Sequence, residues 1–469
     1  MESHKTFREW KPNEYARQPI VPEQVLPEDD LVFFLLDLIP QLNLAPLYAH
    51  YEGETRGAPP YDVAMMVTLL FYSYCVGVFS SRKIAAACER NIAFLAIVGN
   101  QRPDFRTISD FRKIHLERLS DLFLEVLRIA GELGMVKLGN LALDGSKFRA
   151  NASRHKAMSY GYMKKEVERL RAEVQELLER AGQVDAEQDA AMGSRRGDEL
   201  PDELARRQER LQAIEEAMQR LEEQARQQAE AKRQEREQAQ AEREASGQKP
   251  RGREPQPISE TPEDKAQTNF TDPEAKIMKT SNKGFDYCFN AQAVVDEEHQ
   301  IIVGAEVTPA ANDKQQATPL VQATLANIAA AGIEKPQEAD GTDAKIRMSA
   351  DNGYFSEANV QELEAQGIDP YIAVGRQKHN QPQPSSAGDS PSPEATPKER
   401  MAHKLRTAAG KATYAKRKHI VEPVFGQMKH ARGFRQFLLR GLRNVQGEWK
   451  MLCLTHNLLK IWRYQSALT

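Results

Sequence analysis

The sequence predicts an α/β protein, a mixed sheet flanked by helices, with a helical N-terminal domain and an inserted helical (coiled-coil) hairpin. Three observations carry this. Apolar residues recur at three- and four-residue spacing up to about residue 135. Short apolar runs bounded by turn residues then follow in the order β, ββ, αβαβ. Between the first of these runs and the next lies residues 160–256, a charged stretch with two heptad-like segments.

The helical periodicity is clearest in Leu31–Leu38, in Asp62–Phe71 and in Leu119–Leu133. Ser80 and Ser81 offer N-caps to a helix running through Cys88 to Asn91, and Ser109-Asp110 is expected to open another. Arg82, Lys83, Arg90, Arg106 and Arg112 fall near the starts of these helices. They suit either a small DNA-binding bundle or a helical bundle with ordinary surface arginines.

Val136–Leu143 is an apolar run ending in Asp144-Gly145, the pattern of a buried strand stopped by a turn. Tyr287–Asp296 and Ile301–Thr308 read as a hairpin across Glu297-Glu298-His299, with Asp296 as a turn residue. An amphipathic helix, Lys314–Gly332, follows, and Asn312-Asp313 before it reads as a cap rather than a ligand pair. A fourth strand, Lys345–Ala350, ends at Asp351. A helix over Glu357–Gln366 and a strand at Tyr371–Val374 complete the set.

In the insertion, Val167, Leu170, Val174, Leu177 and Ala181 form one apolar stripe, and Leu211, Ile214, Met218, Leu221 and Ala225 a second. Gly182, Gly193, Gly197 and Pro201 lie between them, so the segment reads as an antiparallel helical hairpin around a flexible turn. After Gln228 the composition turns to Gln, Glu, Arg and Ala and then to Gly and Pro, which predicts a disordered linker. Gln381–Pro397, rich in Pro and Ser, is expected to be a mobile loop. Helices are expected again at Lys411–Arg432 and Asn444–Arg463.

The net charge of −3 does not announce a nucleic-acid binder, but the charge is unevenly spread. Between Lys398 and Lys450 fourteen Lys or Arg residues face three Glu, as phosphate binding would require and as a solvated surface run would also show. The four cysteines are far apart with no C-x-x-C pair, which argues against a zinc site or a disulfide framework and fits a reducing cytoplasm. The N-terminus MESHKTFREW is too polar for a signal peptide, and no apolar run approaches the roughly 18–20 residues of a membrane span. A soluble, intracellular protein with no membrane partner is expected.

Asp144 and Asp351 each follow a strand candidate. On neighbouring strands, their carboxylates would project from one sheet edge and repel each other unless a cation lay between them. Mg²⁺ takes oxygen ligands, commonly one or two carboxylates with water and phosphate oxygens. Glu422, on the basic helix Tyr414–Lys429, is the natural third acid of a two-metal site for attack on a phosphodiester. Any one of these acids alone would more often be a cap or surface group. Pro423 predicts that the helix kinks or begins anew beside Glu422.

Tyr414, Arg417, Glu422 and Lys429 resemble the Y-R-E-K signature of the DDE transposases of bacterial insertion sequences. KRKHIVEPVFGQMKHARGFRQFLLRG, LALDGSKFRANAS, TDPEAKIMKT and SADNGYFS are similar to blocks of that family, and the N-terminal helices resemble the domain preceding its catalytic core. The resemblance implies an RNase H-like core in which Asp144, Asp351 and Glu422 hold two Mg²⁺ or Mn²⁺ ions. It also implies phosphate contacts by Tyr414, Arg417 and Lys429. Four residues separate Arg417 from Glu422 where the family pattern has three, a spacing that Lys418 meets, so both remain candidates. Arg432 and Arg435 on the same segment, and Arg82 and Lys83 in the N-terminal region, are further expected DNA contacts. Trp449 and Phe434 suit either core packing or stacking on an unpaired base. His419 and His430 suit surface positions or DNA contacts.

The expected domains are therefore 1–135, helical and binding DNA ends; 136–159 with 260–469, catalytic; and 160–259, the hairpin and linker. The resemblance implies duplex DNA as substrate, both transposon ends and target, a homodimer in a synaptic complex, and a cytoplasmic, nucleoid-associated setting. Two other classes fit the residues: an RNase H-like nuclease that cuts without joining, and a non-catalytic DNA-binding or coiled-coil architectural protein.

Overall fold

The computed structural model describes residues 8–9, 11, 22–53, 57–99, 101–192, 202–245, 257–280, 284–337, 343–375 and 395–468. The turn expected around Gly193, Gly197 and Pro201, and most of the loop expected at Gln381–Pro397, lie outside these. The chain divides into two compact units, one of residues 1–151 and 277–469, the other of residues 152–276.

The first unit opens with helices α1 (Leu31–Leu38), α2 (Val63–Cys75), α3 (Ser81–Arg90), α4 (Ile92–Val98) and α5 (Phe105–Glu132). Carboxylates start several of them: Asp62 accepts from the Met65 N–H, and Asp104 from the N–H groups of Arg106 and Thr107. Asp104, not Ser109-Asp110, therefore opens α5, and Ser80 makes no side-chain cap on α3. Every residue of α2 is buried, as the run Val63–Phe71 requires, apolar apart from Thr68, whose hydroxyl donates to the Ala64 carbonyl.

Strand β1 (Asn140–Arg149) follows; β2 (Ala157–Ser159), helices α6 (Tyr160–Met192) and α7 (Asp202–Ala245), and β3 (Gln267–Asn269) belong to the second unit. The chain then forms β4 (Lys276–Lys279), β5 (Phe285–Asp296), β6 (Ile302–Thr308), α8 (Ala317–Ala330), β7 (Ile346–Ala350), α9 (Glu357–Ala365) and β8 (Ile368–Ile372). Helices α10 (Pro397–Lys404), α11 (Ala408–Ile420), α12 (Glu422–Gly426) and α13 (Leu442–Ser466) end it. The strand order is β4-β5-β1-β7-β8, with β6 also pairing with β5. The β5–β6 hairpin and the β1–β5 pair are antiparallel, whereas β1–β7 and β7–β8 are parallel, so the sheet is mixed. Asp296 closes the hairpin as expected, accepting from Glu298 N–H and from Leu138 N–H.

An aromatic core packs against β1 and β5. Phe148 lies 5.3 Å from Trp449, 5.9 Å from Phe434 and 5.7 Å from Phe437, ring centre to ring centre. Trp449 and Phe434 are both fully buried, and the Trp449 indole donates to the Gln292 carbonyl, so they serve the core. Glu448, buried on α13, accepts from the Tyr74 hydroxyl on α2 and from the N–H groups of Leu438 and Leu439. Arg112 on α5 donates to the same tyrosine hydroxyl and to the Phe79 carbonyl. This polar chain ties the N-terminal helices to the last helix within one unit.

In the second unit, α6 and α7 pack along the expected stripes, Val167 and Leu170 against Ile214 and Leu221. Gly182 lies inside α6 and not in a turn, and α7 runs to Ala245, well past Gln228. Gln, Glu, Arg and Ala are good helix formers, and no Gly or Pro interrupts them before Gly247, which corrects the reading of a linker there. Among the described residues, all four cysteines are free and buried, and no single helix is long and apolar enough to cross a membrane.

Candidate active site

The parallel pairing of β1 with β7 ends at Leu143 opposite Ala350, so Asp144 and Asp351 are the next residues on two adjacent strands. Asp351 follows the last residue of β7, as expected. Asp144 does not end its strand: β1 continues to Arg149, paired with β5. The acids therefore sit where β7 parts from β1. Each carboxylate is held by a local backbone donor, Asp144 by Gly145 N–H at 2.9 Å and Asp351 by Gly353 N–H at 2.8 Å.

Helix α11, capped by Thr407, delivers the basic side chains. Arg417 Nη1 lies 3.1 Å from Asp144 Oδ2, and its side chain is only 12 % exposed. Its Nε is buried and makes no hydrogen bond, leaving a donor available to an acceptor such as a phosphate oxygen. Lys418 is exposed on the same helix, so Arg417 is the residue brought to the acids. Burial pushes the Asp144 carboxyl up to about 6; Arg417 and the Gly145 N–H oppose this, while the charges of Asp351 and Asp313 add to it. Tyr414 is half-buried beside Arg417, with burial raising its hydroxyl pKa.

The chain breaks at Val421, and Pro423 sits in the first turn of α12, where its missing N–H costs nothing. The expected restart beside Glu422 is thus present. A short π-helical turn, Gln427–Ala431, follows and carries Lys429. Lys429 Nζ donates to Ser146 Oγ at 2.6 Å and to the Lys147 carbonyl at 2.9 Å, and it lies 4.3 Å from the Phe148 ring centre. Burial pulls its pKa down to about 8.

The other expected residues are dispersed. Glu422 is exposed and lies in the field of Arg417. Arg435 is exposed and donates to the Lys429 carbonyl. Arg82 and Lys83 are exposed on α3, with the Arg82 guanidinium 5.0 Å from the Phe105 ring centre. His419 and His430 are at the surface. Arg432 corrects the expectation of a DNA contact. It is 6 % exposed, its guanidinium donates to Thr455 Oγ1, and burial holds its pKa down at about 10.

Three residues beside the acids, Asn290, Gln292 and Tyr354, escaped the sequence reading, and Asp313 was read as a cap. Asn290 and Gln292 are buried on one face of β5, opposite Lys147 and Gly145 of β1. Both donate to Asp313 Oδ1, at 2.6 and 2.8 Å, and the buried Tyr354 hydroxyl donates to Gln292 Oε1. Asp313 is therefore no helix cap; α8 starts at Ala317, and only Asn312 bonds locally, to Lys314 N–H. The available signal was two amides spaced by two in an otherwise apolar strand, since buried polar side chains need partners.

A family model for a transposase domain matches residues 21–114, and one for the transposase DDE domain matches residues 257–458. The chain belongs to the DDE transposases of insertion-sequence type. Its core is accordingly RNase H-like, and its substrate is DNA. Asp351, Arg417, Glu422 and Lys429 lie inside the second matched segment, while Asp144 lies between the two segments. No curated protein and no solved structure matches the chain.

DDE transposases work with divalent metal ions. Among the described residues no three acidic, histidine or cysteine side chains converge as they stand on one ion. The Asp144–Asp351 pair nevertheless fits a hard cation. Both donors are oxygen, they come from adjacent strands, and Mg²⁺ commonly takes only one or two carboxylates with water and phosphate oxygens.

Proposed function

We propose that the protein cuts DNA at the ends of its insertion sequence and transfers the freed 3′-OH strand into target DNA. The observation that carries this is the meeting of Asp144 and Asp351, from adjacent strands, with Arg417 from the basic helix. In this reading Asp144, Asp351 and Glu422 hold two Mg²⁺ or Mn²⁺ ions. Bound there, the ions would supply Lewis-acid stabilisation of the attacking and leaving oxygens. Arg417, with its unused buried Nε, takes a phosphate oxygen beside the acids, and Tyr414 packs alongside it. Lys429, fixed on Ser146 and the Lys147 carbonyl, adds positive charge next to β1. Exposed Lys418 and Arg435 neutralise backbone phosphates without reading bases. Arg82 and Lys83 serve the same purpose on the N-terminal helices, which take the transposon end.

Transposition brings two ends together, so two copies act as a homodimer in a synaptic complex, and the substrate implies a cytoplasmic, nucleoid-associated protein. The test is purified full chain with Mg²⁺ or Mn²⁺ and DNA carrying the inverted repeats that bracket its reading frame. Strand-transfer products are expected. Cutting without joining would make it an RNase H-like nuclease, and DNA binding with neither step would make it an architectural protein.

A further inference from the structure

Asp313 has no assigned role, yet it is held as a functional carboxylate would be. It lies in the connection between β6 and α8, and its placement depends on β5. Asn290 Nδ2 and Gln292 Nε2 donate to the same oxygen, Oδ1, at 2.6 and 2.8 Å. Both amides are buried, and Tyr354 fixes the Gln292 side chain from its other end. Three polar side chains thus orient one carboxylate, a large expenditure of buried polarity for a surface loop.

The second oxygen points the interpretation. No described residue donates to Asp313 Oδ2, whereas a point at the Cβ position of Gly353 lies 3.2 Å from that oxygen and 3.0 Å from Asp351 Oδ1. The free oxygen therefore faces the side of the site that Asp351 occupies. The charge of Asp313 is also felt at Asp144 and at Tyr354. Two glycines make the arrangement possible. A Cβ at Gly145 would lie 2.5 Å from Gln292 Nε2, and one at Gly353 would crowd both acids.

We propose that Asp313 is a third sheet-side carboxylate of the metal site, joining Asp144 and Asp351 through its free Oδ2 while Asn290 and Gln292 hold its Oδ1. This deepens the reading above and rests on it. The three acids do not meet on one point as they stand, so ligation requires the Asp313 carboxylate to turn toward Asp351. The two amide bonds on Oδ1 leave it free to pivot about that oxygen. The loop between β6 and α8 then becomes part of the catalytic machinery, and β5 contributes amides that orient a ligand.

The test is Mn²⁺ binding to the full chain without DNA, followed by electron paramagnetic resonance, for the wild type, Asp313→Asn and Asp351→Asn. The expected result is a loss of Mn²⁺ affinity of about 10-fold or more in both variants. Wild-type affinity in Asp313→Asn, with Asp351→Asn impaired, would overturn the proposal alone. Wild-type affinity in both would overturn the metal site itself. A second measurement needs no variant: Fe²⁺ with ascorbate and peroxide should cut the wild-type backbone beside Asp313 as well as beside Asp144 and Asp351. Cuts near 144 and 351 only would contradict the assignment.

Discussion

A Cβ at position 145 would lie 2.5 Å from Gln292 Nε2 and 3.0 Å from Asn290 Oδ1, the two side chains that cross β1 next to Asp144. Gly145→Ala should therefore displace an amide, reduce cleavage at the transposon end and destabilise the fold by about 1–3 kcal/mol. Cleavage at the wild-type rate would show that the amides are not needed there. Arg417→Ala leaves the largely buried Asp144 without its counter-charge. A stability loss of about 1–3 kcal/mol in urea unfolding is expected, together with weaker end binding. Lys429 is protonated below its depressed pKa of about 8 and neutral above it. End binding should weaken as pH rises through that value, and Lys429→Gln should bind weakly at every pH without that step. An unchanged profile in the variant would remove Lys429 from the interface. Among single residues, Asp351 and the Tyr414–Lys429 set stood out in the sequence because they fall in dense local patterns, and of these the structure brings Asp351 and Arg417 to Asp144 while Glu422 stays exposed. Asp313 did not stand out, because its meaning comes from two amides on β5 more than twenty residues earlier in the chain, at a register no local pattern encodes. Arg432 misled for the opposite reason: its basic neighbourhood suggested a surface, whereas its own side chain is folded inward.

At the scale of elements, the apolar runs located β5, β6 and β7 to within two residues, since strands covered on both faces read as continuous apolar segments, whereas the run Val136–Leu143 stopped six residues short of the end of β1 at Arg149. Pro423 correctly announced a restart of the helix. The length of α7 was hidden by a composition that suits both a solvated helix and a disordered chain; beyond Gln228 the helix meets the segment before β3, as in the ion pair of Arg233 with Glu260. Helix α5 offers a test of its own packing. His115 is 1 % exposed, with its Nε2 3.0 Å from the Tyr51 hydroxyl, and burial pulls its pKa down to about 4. The unfolded chain takes up that proton near 6.5, so the folded state binds fewer protons between these values. Stability should be full above about pH 6.5 and fall by about 1–3 kcal/mol as pH drops toward 4. Melting curves of His115→Gln should lose this part of the acid dependence; identical curves would assign it elsewhere.

For the whole molecule, the inserted hairpin and the unit that bears the acids are each compact in their own right. Val167 and Leu170 of α6 pack against Ile214 and Leu221 of α7, so these apolar residues are not free to seat a second copy. A chain lacking residues 160–256 should keep single-end binding and lose the complex that holds two ends, as read on native gels. A normal two-end complex would put the dimer contact outside the hairpin. If Asp144 and Asp351 form the reacting centre, 3′-end cleavage of transposon-end DNA with Mg²⁺ must depend on both, which is read by comparing wild type, Asp144→Asn and Asp351→Asn at equal end occupancy. Both variants should bind the end and fall by about 10³-fold or more in cleavage rate, roughly 4 kcal/mol of barrier. Cleavage by either variant at the wild-type rate would contradict that role.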